Sequence, residues 1–343
     1  TPPPEPGFSG ALRTMLLLGY HWRFLAPDSA EVFSRAVLSD PRIRSNQDAS
    51  AGARLMMTAD APRGAVRLGR LLEEGSSGNA DLITGGLLGQ LLGYATLGRL
   101  DSVRITGIRA GQVTADRSLP LLALELEAVL RAFDPDSSLR YAPDLEALLE
   151  RYVGERAPLS HRAAWTLGML AARRGDMARA RSSRAALKAE PAPAPLRGIL
   201  DAMITAGAGT TVEALRMLPA PPPLETPDGP ESPLADAVTR FLRAEWQESS
   251  GRSGNALGTL VWYEHLQTIG HLTGEAQAGE MGWAVGTLAR WKRAGLLDPQ
   301  SSAFERCSAY RAVARLWVGG EAPFAARAAT ALQIHHRDCP VRP

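Results

Sequence analysis

Apolar residues recur at three- and four-residue spacing along most of this chain, as in LPLLALELEAVLRAF (119–133) and PDLEALLERYV (143–153). That is the period of an α-helix with one face turned inward. Alternating β-branched runs are nearly absent, and only DSVRITGIRAGQV (101–113) reads ambiguously between helix and strand. Breakers divide the helical runs. Asp40-Pro41, Asp134-Pro135 and Asp298-Pro299 each follow one; proline stops the helix and the aspartate can cap the next. The segment LPAPPPLETPDGPESP (218–233) holds too many prolines for a helix and predicts a linker or surface loop over 219–233. TPPPEPGF predicts an extended arm over residues 1–8.

A second pattern lies over the first. In LGMLAARRGDMARA (167–180) a glycine and an aspartate interrupt two alanine-rich helical stretches, and Ala180 follows Gly175 by five. The same pair recurs as Gly209 with Ala214, Gly251 with Ala256 and Gly320 with Ala325, and more weakly as Gly98 with Val103. A glycine ends one helix, and the small residue lets the next pack closely against it. Recurrence at thirty-four residues or more predicts stacked helical hairpins that bury their apolar faces against neighbours.

These residues resemble the tetratricopeptide repeat. Gly168 follows Leu167 as in the motif's leucine-glycine pair, with Gly175 and Ala180 at its turn and close-packing positions. Tyr20, Phe33, Ala36 and Pro41 keep the motif's spacing near the N-terminus, and Tyr94 with Gly98 fits a further copy. Arg184 and Val103 depart from the motif, and 117–160 fits only as unassigned helices. The resemblance implies an all-α, right-handed α-solenoid of about six to eight hairpins at about forty residues each, with repeats over 9–218 and 234–334 and a tail over 335–343. It also implies a partner groove on the first helix of each pair, faced by Arg162, Trp165, Met169 and Arg173 in one unit and by Phe241 and Glu245 in a later one. The basic-and-asparagine clamp that some members use for a peptide's terminal carboxylate is absent. RFLRAEWQESSGRSGNALGTL (240–260) and LARWKRAGLLDPQSSAFERCSAYRAVARLW (288–317) look like the closing repeats of bacterial multidomain signalling proteins.

Composition narrows the function. Thirty-eight basic against thirty-six acidic residues leave a formal charge of +2, and nearly all the basic residues are arginine; no strong field argues for nucleic acid. No apolar run is long enough to span a bilayer. The first residue is Thr1, so a processed product or a fragment is expected, and the compartment stays open. Cys307 and Cys339 allow one disulfide at most.

Motifs for phosphate loops, dinucleotide folds, zinc proteases and nucleophile elbows are missing. Gly85, Gly89 and Gly93 stand four apart and predict a close helix–helix contact. His335, His336, Asp338 and Cys339 have no second ligand pair, so a solvated tail is the plainer reading than a metal site. His265 and His271, near Glu264 and Glu275, read as surface or core-edge histidines. Trp246, Trp262, Trp283, Trp291 and Trp317 cluster in the last third, where core filling outweighs a ligand pocket. The expected function is non-catalytic binding of another protein, with no cofactor. The alternatives are the regulatory arm of a signalling protein and a structural subunit of a larger assembly.

Overall fold

The computed structural model describes residues 62–74, 78–115, 117–187, 194–219, 233–269, 276–298 and 302–339. The expected arm over 1–8, Tyr20, Phe33, Ala36, Pro41, most of the proline-rich segment, His271 and Glu275 lie outside them, as do the side chains of Glu264, His265 and Trp283. The described residues form fourteen α-helices, one 3-10 turn and no strand, and more than half of the chain lies in these helices.

In chain order the helices are α1 (Pro62–Glu74), α2 (Ala80–Thr96), α3 (Leu100–Val113), α4 (Ser118–Phe133), α5 (Pro143–Val153), α6 (Leu159–Arg174), α7 (Met177–Ala186), α8 (Ala194–Gly207), α9 (Thr211–Met217), α10 (Pro233–Ser249), α11 (Ser253–Ile269), α12 (Ala276–Leu296), α13 (Ala303–Trp317) and α14 (Ala322–Asp338). The 3-10 turn is Ser137–Arg140. The ambiguous stretch is helix α3, and residues 335–338, expected in the tail, form the last turn of α14.

Each helix packs on its sequence neighbour, and four of the described turns between them are built alike. Gly98, Gly175, Gly209 and Gly251 have φ of 67°, 86°, 90° and 74°, the left-handed region that a Cβ disfavours. The next residue opens the new helix. Four residues later stand Val103, Ala180, Ala214 and Ala256, all fully buried. Their amides bond back to the opening residue at 3.0, 3.0, 2.9 and 3.1 Å. Gly78, at φ 84°, with Asn79 and half-buried Ile83 is a further copy that an isoleucine hides from a search for small residues.

The turn at Gly320 differs. Phe324 is buried there and Ala325 is half-exposed, because this turn docks on another one. Glu321 N donates to Gly98 O at 3.0 Å and Arg99 Nε donates to Gly319 O at 3.0 Å. A Cβ on Gly98 would lie 2.6 Å from the Phe324 ring. Gly98 is therefore required both for its backbone angle and for this contact.

A second tier of contacts joins alternate helices. α2 packs on α4, α4 on α6, α6 on α8, α8 on α10 and α10 on α12, and α12 then returns to α2 and α4. The return is offset: Thr287, midway along α12, donates its hydroxyl to Thr96 O at the end of α2 (3.2 Å). Helix α4 is enclosed by α2, α3, α5, α6 and α12, which explains why its apolar residues cover more than one face. Its Glu125 and Glu127 are buried among them. Arg162 pairs with Glu125, and Arg104 and Arg131 bond Glu127 at 2.8 and 2.9 Å. Buried carboxylates need such partners.

Helices α1 and α2 cross backbone to backbone, as expected through Gly93, and through Gly86 rather than Gly85. A Cβ on Gly86 would stand 2.5 Å from Gly69 O, and one on Gly93 2.6 Å from Pro62 O. Gly85 faces open space. The contacting glycines are thus seven apart, two turns along one helix face. Cys307 and Cys339 form a disulfide with Cα atoms 5.8 Å apart, tying α13 to the end of α14.

Candidate functional site

Four helices, α4, α6, α10 and α12, direct their C-terminal ends toward one cleft of about 340 Å³. Helix α10 supplies Phe241, Glu245 and Glu248, and α12 supplies Leu288, Trp291, Lys292 and Gly295. Both sets follow helical spacing, so each presents one face. Phe133 and Asp134 from the end of α4, Arg140 from the 3-10 turn, Arg173 from the last turn of α6 and Tyr310 from α13 complete the walls.

The cleft holds two aromatic pairs. Phe133 and Phe241 meet edge to face at 5.4 Å, and Trp291 and Tyr310 do so at 5.9 Å. The cleft is also charged, for a reason rooted in the helix ends. Final-turn carbonyls have no partner within their own helix and carry partial negative charge. Arginines from neighbouring elements cover them here: Arg173 Nε donates to Ala132 O at 3.0 Å, and Arg140 donates to Arg173 O at 3.2 Å and to Asp134 O at 3.4 Å. Arg173 also grips Glu245 through two bonds, at 2.8 and 3.2 Å, with its guanidinium 4.6 Å from the centre of the Phe133 ring.

Every carboxylate in the cleft has a cation. Glu245 holds Arg173, Glu248 holds Lys292, and fully buried Asp134 is gripped through both oxygens by Arg327 of α14. Arg140 is different. Among the described residues it bonds only backbone carbonyls, and its Nε is buried without a partner. Burial, reinforced by the charge of Arg173, lowers its pKa from the ordinary arginine value, against a smaller opposing pull from Glu245 and Asp134.

Of the six expected groove residues, the fold brings Arg173, Phe241 and Glu245 together in this cleft. It does not bring the other three there. Trp165 and Met169 are fully buried in the chain's own interior, and half-buried Arg162 is held by Glu125. Gly168 lies where α6 passes α8, with a Cβ there 2.8 Å from Leu200. Tyr94 is buried and accepts a 2.6 Å bond from Arg70. Trp246 and Trp317 fill core, whereas Trp291 lines the cleft.

Arg140, Glu248, Trp291 and Lys292 line the cleft without being among the expected groove residues. The spacing 241, 245, 248 and 288, 291, 292, 295 was a usable signal for two of the walls. Nothing local marked Arg140. Among the described residues no cluster of histidine, cysteine, aspartate and glutamate is arranged to hold a metal, and no helix is long and apolar enough to cross a membrane. Cys339 of the histidine-rich end is occupied by the disulfide. Comparison with protein-family models, curated proteins and solved structures found no match.

Proposed function

We propose that this chain is a non-catalytic protein-binding module, a right-handed solenoid of tetratricopeptide-like hairpins that receives part of a partner protein in the cleft. The observation carrying this reading is the convergence of Arg173, Phe241 and Glu245, three positions assigned to the groove by the repeat frame, on one cleft. The recurrent left-handed glycine turns support the hairpin frame, and the offset return of α12 onto α2 suits a superhelical turn. A cleft of about 340 Å³ takes one or two side chains of a partner; the remaining contact falls on the rim.

A second reading, a structural subunit of a larger assembly, draws on α3. Its outer face carries Ile105 and Ile108, one turn apart and 63% and 59% exposed, an apolar pair that an assembly contact would cover. The regulatory arm of a signalling protein fits either contact surface.

Photo-crosslinking tests the choice. A Cβ at Gly295 would enter open space in the cleft, and one at Gly258 open space on exposed α11. A benzophenone amino acid at Gly295 is expected to join a partner polypeptide in native cells, with no such product from Gly258. Products from Ile105 but not from Gly295 would move the reading to assembly through α3.

A further inference from the structure

The charged groups of the cleft do not all pair with one another. Asp134, Glu245 and Glu248 each take one cation, from Arg327, Arg173 and Lys292 respectively. Among the described residues Arg140 is the wall cation that bonds no carboxylate. It engages two carbonyls at 3.2 and 3.4 Å, distances at or beyond the long end of the normal range, and a guanidinium has five N–H donors. The negative helix ends oppose a bound anion, but Ala132 O, Asp134 O and Arg173 O already accept bonds from the two arginines. Phe133, Phe241, Leu288, Trp291 and Tyr310 line the same cleft.

We propose that the cleft selects a carboxylate carried on a compact apolar body, with Arg140 binding the carboxylate and the aromatic wall enclosing the body. This rests on the cleft being the binding site. Arg140 stands in the 3-10 turn between α4 and α5, outside the repeat frame, so this site is separate from the terminal-carboxylate clamp of the repeat family. An internal aspartate or glutamate beside a leucine or phenylalanine has this chemistry, and so does a small organic acid.

Titration calorimetry on the full chain separates the cases with paired probes. The first pair is 4-phenylbutanoate and 4-phenylbutanamide. The second is the blocked peptide acetyl-Leu-Asp-Leu-Phe-amide and its Asn counterpart, which has no terminal charge. The acid of at least one pair should bind about tenfold more tightly than its neutral partner, the scale of one charge-assisted hydrogen bond. Preference in the peptide pair alone assigns a partner segment, and preference in the small pair alone a free acid. In Arg140→Gln the preference should fall to about twofold or less, while the neutral probe's affinity is kept. Acid and amide binding equally in both pairs would overturn the proposal and leave the cleft as a binding site. No binding by any probe, together with an empty Gly295 crosslink, removes the cleft itself. The comparison of acid with amide needs no variant, so it stands even where Arg140→Gln does not fold.

Discussion

Where α1 crosses α2, Gly69 and Gly86 bring two backbones together with no side chain between them. Replacing Gly86 with alanine sets a Cβ 2.5 Å from Gly69 O and 3.2 Å from both Glu73 N and Leu72 Cβ. The nearest atoms on the opposing helix are main chain, so no flexible side chain can swing aside, and the helices must separate by several tenths of an ångström. Overpacking of this kind costs about 1–3 kcal/mol. Alanine in a helix interior returns about 0.5–1 kcal/mol relative to glycine. The net expectation for Gly86→Ala is a loss of about 1–2 kcal/mol. Gly258→Ala is the matched control, since it sits on an exposed face of α11 with open space around a Cβ, and should gain about 0.5–1 kcal/mol. Urea unfolding followed by far-UV circular dichroism measures both against the parent. The reasoning fails if Gly86→Ala unfolds at or above the parent's urea midpoint, or if the two variants shift in the same direction.

Ala180→Leu and Ala256→Leu each place a large side chain at a fully buried helix contact and should cost on the order of 1–3 kcal/mol in the same assay; parent-like unfolding of both would reject the repeat frame. Arg327→Ala leaves the buried Asp134 carboxylate without its cation and should lose about 3–5 kcal/mol, with Asp134→Ala recovering part of that in a double-mutant cycle. Cys307→Ser opens a loop of sequence separation 32 and should lower stability by about 3–4 kcal/mol. Adding reductant to the parent should reproduce that shift and leave Cys307→Ser unmoved.

Local signals carried the helices and their turns. The period in 143–153 and the glycine–alanine pairs at 175/180, 209/214 and 251/256 depend on residues close in sequence, and each appears where the spacing put it. Gly320 and Ala325 keep the same spacing, yet the turn is shaped by a docking contact with Gly98 that no local window contains. Helix α4 is legible as a helix from its period but fits no repeat unit, since enclosure by five helices spreads its apolar residues over more than one face. Three of the six expected groove residues line the cleft, for a related reason. Spacing places Trp165, Met169 and Arg173 on one side of α6, but only neighbours from distant parts of the chain decide which are covered. Arg140 was invisible, since its importance lies in which carboxylates it does not meet.

The return of α12 onto α2 governs how the chain must be made. An open repeat array nucleates anywhere and loses a terminal unit at the cost of one interface. Here the bond from Thr287 to Thr96 spans 191 residues and that from Arg99 to Gly319 spans 220. During synthesis the surface of α2 that meets α12 therefore waits, uncovered, until about two hundred more residues have emerged, with the slow closure and aggregation risk of long-range contacts. Trimming α12 to α14 from the finished molecule would expose not only the neighbouring α10 and α11 but also α2 and α4, on the opposite side of the break.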